Sequence, residues 1–291
     1  MNRQGFFIMN KIYLWRDSAI KTRTDRPSIV PFLTDSPQAP AILIIPGGGY
    51  GVVCESTEGT PTAKKFNSLG YHAFVLDYRT APARYPEPQQ DAMRAIKMIR
   101  ANAEKWGVIS DQVYTCGFSA GAHLAGCPGI LCDDLDASDN DFCDNFSHVP
   151  DGMILCYGVL AFEEWSHIGS QQNLLGDDFR SIRKKCSLPD FVCEKTPPAF
   201  LMHTICDQWV SFRNSIVFAE AMAKAERPCK LILNNWGDHG MLLGKNTLDV
   251  VDWPEQADAF FKSVLLSQSD PEFRSRYTHA YQSKHVTELK I

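Results

Sequence analysis

The sequence lacks a long hydrophobic run. No stretch approaches the ~18 consecutive apolar residues from which a membrane-spanning helix is built. Near the first residue, only residues 6–9 form an apolar run before Lys11, whereas the apolar region of a secretory signal peptide needs ~7 to 15 residues. We therefore expect a protein that has no membrane partner and stays in the cytoplasm.

The chain also lacks an excess of positive charge. Its formal net charge is −5 and no basic stripe stands out, so a nucleic-acid partner is not expected. With 291 residues and 44% hydrophobic content, the chain can bury a large core. No linker-like break interrupts the strand and helix signals over residues 1–266, so we predict one domain there and a C-terminal tail over residues 267–291.

The ten cysteines lack any repeated spacing. This fits reduced thiols in the cytoplasm, although an even number would also permit disulfides in a secreted protein. Cys127, Cys132, Cys143 and His148 can be considered as metal ligands, but their spacing matches no zinc pattern. We predict neither a metal nor an organic cofactor.

The sequence does contain one G-x-S-x-G motif, Gly117-Phe118-Ser119-Ala120-Gly121, between an apolar run at residues 112–116 and a helical pattern. A strand, a sharp turn and a helix form the setting of a nucleophile elbow, in which flanking glycines allow a tight turn that presents a serine hydroxyl. An ordinary glycine turn would show the same five residues, but the flanks favour Ser119 as a nucleophile.

A glycine-rich loop, Pro46-Gly47-Gly48-Gly49-Tyr50-Gly51, follows another apolar run at residues 41–45. Backbone N–H groups in such a loop can approach a ligand closely, as in the oxyanion loop of lipases and esterases. A flexible connector is the main alternative, and a phosphate-binding loop lacks the motif it needs. The elbow calls for an oxyanion loop, and the N–H of Ala120, the residue after the nucleophile, would be a further donor.

A serine nucleophile needs a histidine base and an acid that orients it, in the chain order serine, acid, histidine for this type of elbow. Two apolar runs, at residues 199–204 and 229–234, are followed by Asp207 and His239. Catalytic groups of open α/β sheets collect at the carboxyl ends of strands. We therefore predict Asp207 as the acid and His239 as the base.

Other candidates are weaker. His203 lies inside a predicted strand and is interpreted as a core histidine, and His123 on the helix after the elbow suits a structural hydrogen bond. His167 could overhang the pocket, but we favour a surface-loop position for it. Asp238 adjoins His239 in sequence and is badly placed to orient its ring.

Helical and extended patterns alternate along the chain. Helices are predicted from Thr60 to Gly70, over residues 90–106, from Ser211 to about residue 226, and over residues 252–266. Such alternation predicts the α/β class, with a mostly parallel sheet covered by helices on both faces. Residues 160–196 interrupt the pattern, and we predict that this small insertion roofs the pocket.

These motifs belong to a longer set of stretches between about residues 40 and 265, namely Pro46-Gly47-Gly48-Gly49-Tyr50, Glu58-Gly59-Thr60-Pro61, Phe74-Val75-Leu76-Asp77-Tyr78-Arg79, Gly117-Phe118-Ser119-Ala120-Gly121-Ala122-His123-Leu124, Asn173-Leu174-Leu175-Gly176, Thr196-Pro197-Pro198-Ala199-Phe200 and His203-Thr204. Together they resemble bacterial α/β-hydrolase esterases of the acetylxylan esterase type and related small carbohydrate esterases. The family tends to have glycine where Ala122 stands and proline where Ser211 stands, and both positions lie beside the predicted site.

The resemblance implies an α/β-hydrolase fold, a triad of Ser119, Asp207 and His239, and an oxyanion hole of Gly48, Gly49 and Ala120. It also implies a serine esterase that deacetylates xylan-derived or related oligosaccharides. Another serine hydrolase on the same fold, such as an arylformamidase, a lipase-like esterase or a peptidase, remains open, as does a non-catalytic binding protein.

The tail contains an aromatic stripe. Phe273, Tyr277, Tyr281 and His285 recur every four residues, so on a helix they would share one face. Such a stripe packs most often on its own domain, but aromatic residues are also favoured interface anchors. The tail is therefore our candidate contact for a homo-oligomer.

Overall fold

The structure is a computed structural model that describes residues 6–16, 26–131, 135–244, 252–270 and 272. The predictions made for Cys132 and for the aromatic stripe of the tail lie outside these residues.

A sheet of nine strands forms the centre of the described chain, in the order β1-β3-β5-β4-β6-β7-β8-β9 with β2 also paired to β3. Its antiparallel edge consists of β1 (Phe6–Ile8), β2 (Ile12–Tyr13) and β3 (Ser28–Thr34). The parallel part consists of β4 (Ala39–Ile45), β5 (His72–Asp77), β6 (Val108–Phe118), β7 (Gly152–Cys156), β8 (Ala199–Thr204) and β9 (Cys229–Asn234). The predicted, mostly parallel sheet is confirmed.

Helices connect the parallel strands. They are α1 (Thr60–Ser68), α2 (Glu87–Ala101), α3 (Ala103–Trp106), α4 (Ala120–Ile130), α5 (Ile168–Leu175), α6 (Phe179–Ile182), α7 (Arg213–Lys224) and α8 (Trp253–Ser269). A π-helical turn at Glu55–Gly59 precedes α1, and 3₁₀ turns lie at Phe142–Asn145, Arg183–Cys186 and Leu188–Phe191. None of the helices in these residues is long and apolar enough to cross a membrane.

The core lies on both faces of the sheet. Side chains alternate along β4, so Leu43 joins a buried cluster with Ile96 of α2, while Ile44 joins another with Phe66 of α1 and Trp253 of α8. The predicted helices on both faces are confirmed, and the sheet is buried between them.

The helix predicted over residues 90–106 is two helices. α2 begins earlier, at Glu87, and Asn102 leaves the helical conformation with φ −103° and ψ 16° before α3 begins. The Asn102 side chain donates to the carbonyl of Met98 at 2.9 Å, a local bond that competes with the helical ladder. α3 ends as predicted at Gly107, which adopts φ +67°.

Two other predicted helix starts are also displaced. The helix expected to be capped by Thr60 is preceded by the π-helical turn, and Thr60 is itself helical. α7 begins at Arg213, two residues after Ser211, whose hydroxyl accepts from the Arg213 N–H at the long distance of 3.4 Å. At the other end of the domain, α8 continues three residues beyond the boundary predicted at residue 266.

Strand order positions the site. The chain passes from β4 to β5 on one side, then returns to β6 on the other side of β4, which creates a crevice beyond the carboxyl ends of β4 and β6. The predicted insertion folds into α5, α6 and two 3₁₀ turns over this crevice. Arg84 holds α5 there by donating to the carbonyls of Gln172, at 2.7 Å, and of Asn173 near the end of that helix.

Candidate active site

Ser119 occupies a tight turn between β6 and α4. Its φ of +55° and ψ of −122° are unusual for a non-glycine residue. The turn requires glycine at both flanks, since an added Cβ would lie 2.1 Å from the Gly121 carbonyl oxygen at Gly117 and 2.2 Å from the Ile45 carbonyl oxygen at Gly121. The structure therefore has the strand, turn and helix of the predicted elbow.

The structure brings Ser119, His239 and Asp207 together in a hydrogen-bonded row. His239 Nε2 lies 2.9 Å from Ser119 Oγ, and Nδ1 lies 2.7 Å from Asp207 Oδ2. These distances let the imidazole take the serine proton at one nitrogen while the carboxylate holds the other. The three residues come from loops after β6, β8 and β9, which places them at the carboxyl ends of the strands, as predicted.

The Asp207 side chain is almost fully buried and richly hydrogen-bonded. Oδ1 accepts from the N–H groups of Trp209 at 2.9 Å and Val210 at 2.8 Å, and His203 Nε2 lies 3.3 Å from Oδ2. Burial acts to raise the pKa of this carboxyl group, but hydrogen bonds from His203 and His239 outweigh it and hold that pKa well below its usual range. Asp207 is therefore an anion that faces the His239 ring.

Asp207 also gives the core histidine a role that the sequence did not indicate. His203 is buried as expected, with Ser215 Oγ 2.8 Å from Nδ1 and the Val210 carbonyl 2.9 Å from Nε2. It packs against the same carboxylate as His239, so it helps to fix the position of the acid.

The glycine-rich loop lies beside Ser119, and Gly48 and Gly49 border the same cavity. Gly48 has a φ of +129°, and a Cβ there would lie 2.1 Å from the Val52 carbonyl oxygen, so only glycine fits the loop at this position. Ala120 is the first residue of α4, where an N–H has no acceptor within its own helix. The oxyanion role of Gly48, Gly49 and Ala120 stays a prediction.

Gly47, the other glycine of the three-glycine run, has its N–H committed elsewhere. It donates to Glu58 Oε2 at 2.6 Å, and Tyr157 donates its hydroxyl to Glu58 Oε1 at 3.0 Å. Burial raises the pKa of Glu58 more than these hydrogen bonds lower it. Tyr157 in turn packs edge-on against the His239 ring, with centroids 5.1 Å apart.

Glu58 is a functional candidate that the sequence reasoning missed. It belongs to one of the matching stretches, yet it is 5% exposed, borders the cavity and connects the glycine-rich loop to His239 through Tyr157. The sequence does place this acidic residue two positions before Thr60-Pro61, within a stretch that matches the family. Its burial, however, depends on a tertiary contact with a tyrosine 99 positions away.

His167 corrects one expectation. We favoured a surface loop, but this histidine lies over the cavity at the start of α5, where its Nδ1 accepts from the Ser170 N–H at 3.2 Å. Burial lowers its pKa, with a smaller contribution from His239. In α5 itself, Asn173 donates to the Gly49 carbonyl at 2.9 Å, so the insertion contacts the glycine-rich loop.

His123 has a structural environment. The Tyr50 hydroxyl lies 2.7 Å from Nδ1 and the Cys186 carbonyl 2.6 Å from Nε2. Burial lowers the pKa of His123 to about 4, so the ring is neutral at physiological pH. The expected structural hydrogen bond is present.

A cavity of about 540 Å³ lies beside Ser119, within the usual size range of small-molecule sites. It is bordered by the glycine-rich loop, by Ser119 and His239, by the loop after β8 and by the insertion. The bordering residues are Gly48, Gly49, Cys54, Thr57, Glu58, Ser119, His167, Gly169, Asn173, Trp209, Val210, His239, Gly240 and Leu242. In the part of the chain that the structure describes, no group of three or more histidine, cysteine, aspartate or glutamate side chains is arranged to hold a metal ion.

Known proteins that are similar to this chain include two curated relatives and one crystallised hydrolase. A crystallised acetyl ester-xyloside bifunctional hydrolase from Caldicellulosiruptor lactoaceticus superposes with a TM-score of 0.80 and 36% identity, over 88% of this chain and 96% of that one. An endo-1,4-beta-xylanase B of Butyrivibrio fibrisolvens is 33% identical over 76% of this chain and 35% of its own length. An acetylxylan esterase of Xylanibacter ruminicola is 30% identical over 75% of this chain and 44% of its own length.

The chain thus spans between a third and a half of the two curated relatives, while it matches the crystallised hydrolase almost from end to end. The predicted resemblance to acetylxylan esterases is confirmed. Residues 30–222 match the BD-FAE family, which is well over half of the chain. The chain belongs to the BD-FAE family and has the α/β-hydrolase fold.

Proposed function

We propose that this protein is a serine carboxylic-ester hydrolase that removes acetyl groups from xylan-derived or related oligosaccharides. The observation that carries the proposal is the row of hydrogen bonds from Ser119 through His239 to Asp207 beside an open cavity. The substrate class is supported by the names of two similar proteins, an acetyl ester-xyloside hydrolase and an acetylxylan esterase.

The first half of the reaction forms an acetyl-enzyme. Ser119 Oγ attacks the carbonyl carbon of the ester while its proton passes to His239 Nε2. The carbonyl π electrons move to the oxygen, which becomes an oxyanion. When the tetrahedral intermediate collapses, the bond to the sugar oxygen breaks and that oxygen takes the proton from His239. Asp207 stabilises the imidazolium in between.

The oxyanion is held by the N–H groups of Gly48, Gly49 and Ala120. Gly47 is excluded from this set because its N–H donates to Glu58. Donors fixed in advance need no reorganisation when the charge develops, and one such donor is typically worth ~10²- to 10³-fold in rate. The close steric fit of Gly48 and the Asn173 contact to Gly49 supply that rigidity.

The second half hydrolyses the acetyl-enzyme. A water molecule gives a proton to His239 and its oxygen attacks the acetyl carbon, which generates a second oxyanion at the same donors. Collapse breaks the bond to Ser119 Oγ, returns the proton from His239 to that oxygen and releases acetic acid, which loses its remaining proton to water and becomes acetate. The sequence of steps uses only groups of this chain and water.

Acetate release tests the proposal. We expect the wild-type protein to release acetate from acetylated xylo-oligosaccharides and from ethyl acetate. The Ser119→Ala variant should release acetate from both substrates at a far lower rate. A fluorophosphonate probe should label Ser119 of the wild-type protein, identified by peptide mass. Activity on aryl formamides, long-chain esters or peptides alone would contradict the proposed substrate class. An unlabelled Ser119 would contradict the proposed mechanism.

A further inference from the structure

Trp209 has an unusual combination of exposure and position. At 70%, it is the most exposed large hydrophobic side chain among the described residues, yet it borders the cavity beside Ser119. Burial of an indole is strongly favourable in free energy, and an indole exposed to water lacks that stabilisation. Cavities that bind small molecules are lined predominantly by hydrophobic and aromatic side chains, so an exposed indole at the border of this cavity is a candidate contact for a ligand.

The backbone of Trp209 is fixed to the acid of the triad. Its N–H donates to Asp207 Oδ1 at 2.9 Å. The next residue, Val210, is buried, donates to the same oxygen at 2.8 Å and has its carbonyl 2.9 Å from His203 Nε2. The main chain at Trp209 is therefore held between the site and the core, at a set distance from the reacting serine.

An exposed indole at this place suits a ligand that is apolar on one face and hydrated on its rim. A pyranose ring has this character, because its C–H groups point out of the ring faces while its hydroxyls point outward. The weakly positive C–H groups match the negative face of an aromatic ring. A long acyl chain would instead call for aromatic groups enclosed around it, which a side chain exposed to this degree does not provide.

We propose that Trp209 is a stacking platform for a sugar ring of the substrate, so that the ring lies against the indole while the ester carbonyl reaches Ser119. This inference rests on the proposed function and adds the residue that recognises the sugar part. It makes Trp209 a determinant of substrate preference: sugar esters gain from it and simple alkyl esters do not.

Trp236 provides a matched control. It is 63% exposed and lies on the neighbouring loop, between β9 and His239, but it is not among the described residues that border the cavity. If exposure of an indole near the triad were sufficient, both tryptophans would affect sugar esters equally. A platform at the cavity predicts an effect at Trp209 alone.

The experiment compares kcat/KM for an acetylated xylo-oligosaccharide and for ethyl acetate in wild type, Trp209→Ala, Trp209→Phe and Trp236→Ala. We expect Trp209→Ala to lower the ratio of the two values about fivefold or more, mostly through KM, in line with aromatic pair energies. Trp209→Phe should keep most of the ratio because it keeps an aromatic face, and Trp236→Ala should leave it unchanged. An unchanged ratio in Trp209→Ala overturns the platform.

A binding measurement separates this inference from the proposed function. Saturation-transfer NMR with unacetylated xylotriose should show contact with the wild-type protein and a weaker signal with Trp209→Ala at the same protein stability. A wild-type protein that binds xylotriose through Trp209 but releases no acetate would contradict the proposed function and keep the platform. Deacetylation by the wild-type protein, together with equal xylotriose signals in wild type and Trp209→Ala, would support the proposed function and contradict the platform.

Discussion

At the scale of single residues, the triad members are expected to act as a unit. Ser119→Ala removes the proposed nucleophile, and His239→Ala removes the proposed base. Asp207→Asn replaces the carboxylate beside His239 Nδ1 with an amide, whose NH₂ group can donate to Nδ1 and so favour the wrong tautomer of the ring. We expect each variant to lower kcat/KM for ethyl acetate on the order of 10³-fold or more. Substantial activity in Asp207→Asn, with an essential carboxylate elsewhere in residues 160–178, would show that the acid is assigned wrongly.

The pH dependence follows from the same contacts. The lowered pKa of Asp207 keeps its carboxylate ionised across the physiological pH range, and the reaction needs a neutral imidazole beside it, so activity should fall on acidification. The sign is fixed because only the neutral imidazole accepts the serine proton: log kcat/KM should rise with pH and then level off. Initial rates on ethyl acetate across a pH series check this, and a flat profile from acid to alkaline pH would contradict a histidine base.

Glu58 should act on the rate through the oxyanion loop. Glu58→Ala removes the acceptor of the Gly47 N–H and the partner of the Tyr157 hydroxyl, so both the loop and the tyrosine against His239 lose an anchor. We expect kcat to fall about tenfold or more with little change in KM, since oxyanion stabilisation is realised in the transition state. Glu58→Gln keeps an oxygen acceptor and should retain more activity. Equal kcat in wild type and Glu58→Ala would show that the contact is structural only.

At the scale of elements, α5 connects the insertion to the glycine-rich loop. The Asn173 amide donates to the Gly49 carbonyl, and Arg84 fixes the end of the same helix. Asn173→Ala should therefore lower kcat severalfold by loosening Gly49, a smaller loss than removal of a whole oxyanion donor. The neighbouring Gln172→Ala is a matched control because its side chain is exposed on the same helix. Steady-state kinetics measure kcat for both variants. An equal loss of kcat in Asn173→Ala and Gln172→Ala would show that the Asn173 contact does not support the glycine-rich loop in the reaction.

The elements that the sequence predicted well are those with strong local signals. The elbow, the glycine-rich loop and the strand-end positions of Asp207 and His239 follow from short motifs and apolar runs. Asn102 was missed as a helix break because its side-chain bond to Met98 leaves no periodicity signal. The insertion was recognised by its missing pattern, but its short helices are set by tertiary contacts such as those of Arg84.

At the scale of the whole molecule, the site depends on contacts between distant parts of the chain. Fold class and the chemistry-bearing residues were accessible because an α/β sheet collects its strand ends at one edge. Glu58, His167 and Trp209 were not, because the burial of Glu58 beside Tyr157, the position of His167 over the cavity at the start of α5 and the exposure of Trp209 at the cavity are properties of the assembled fold. Sequence patterns therefore indicated the residues proposed for the reaction, while the three side chains that surround them at the cavity required the structure.

The proposed deacetylation predicts a preference for short acyl groups. The cavity of about 540 Å³ is bordered by the glycine-rich loop, the insertion and Trp209, and both the sugar part and the acyl part of the substrate have to fit beside Ser119. We expect kcat/KM on p-nitrophenyl esters to fall from acetate to octanoate by about tenfold or more, because an eight-carbon acyl chain that does not fit the acetyl position displaces the ester carbonyl from Ser119 and the oxyanion donors. The same series of acyl esters is to be measured with Trp209→Ala. The order of kcat/KM values should persist in that variant, because the platform receives the alcohol part of the ester. Faster hydrolysis of octanoate than of acetate by the wild-type protein would mean that the cavity receives a fatty chain and that the acetyl assignment is wrong.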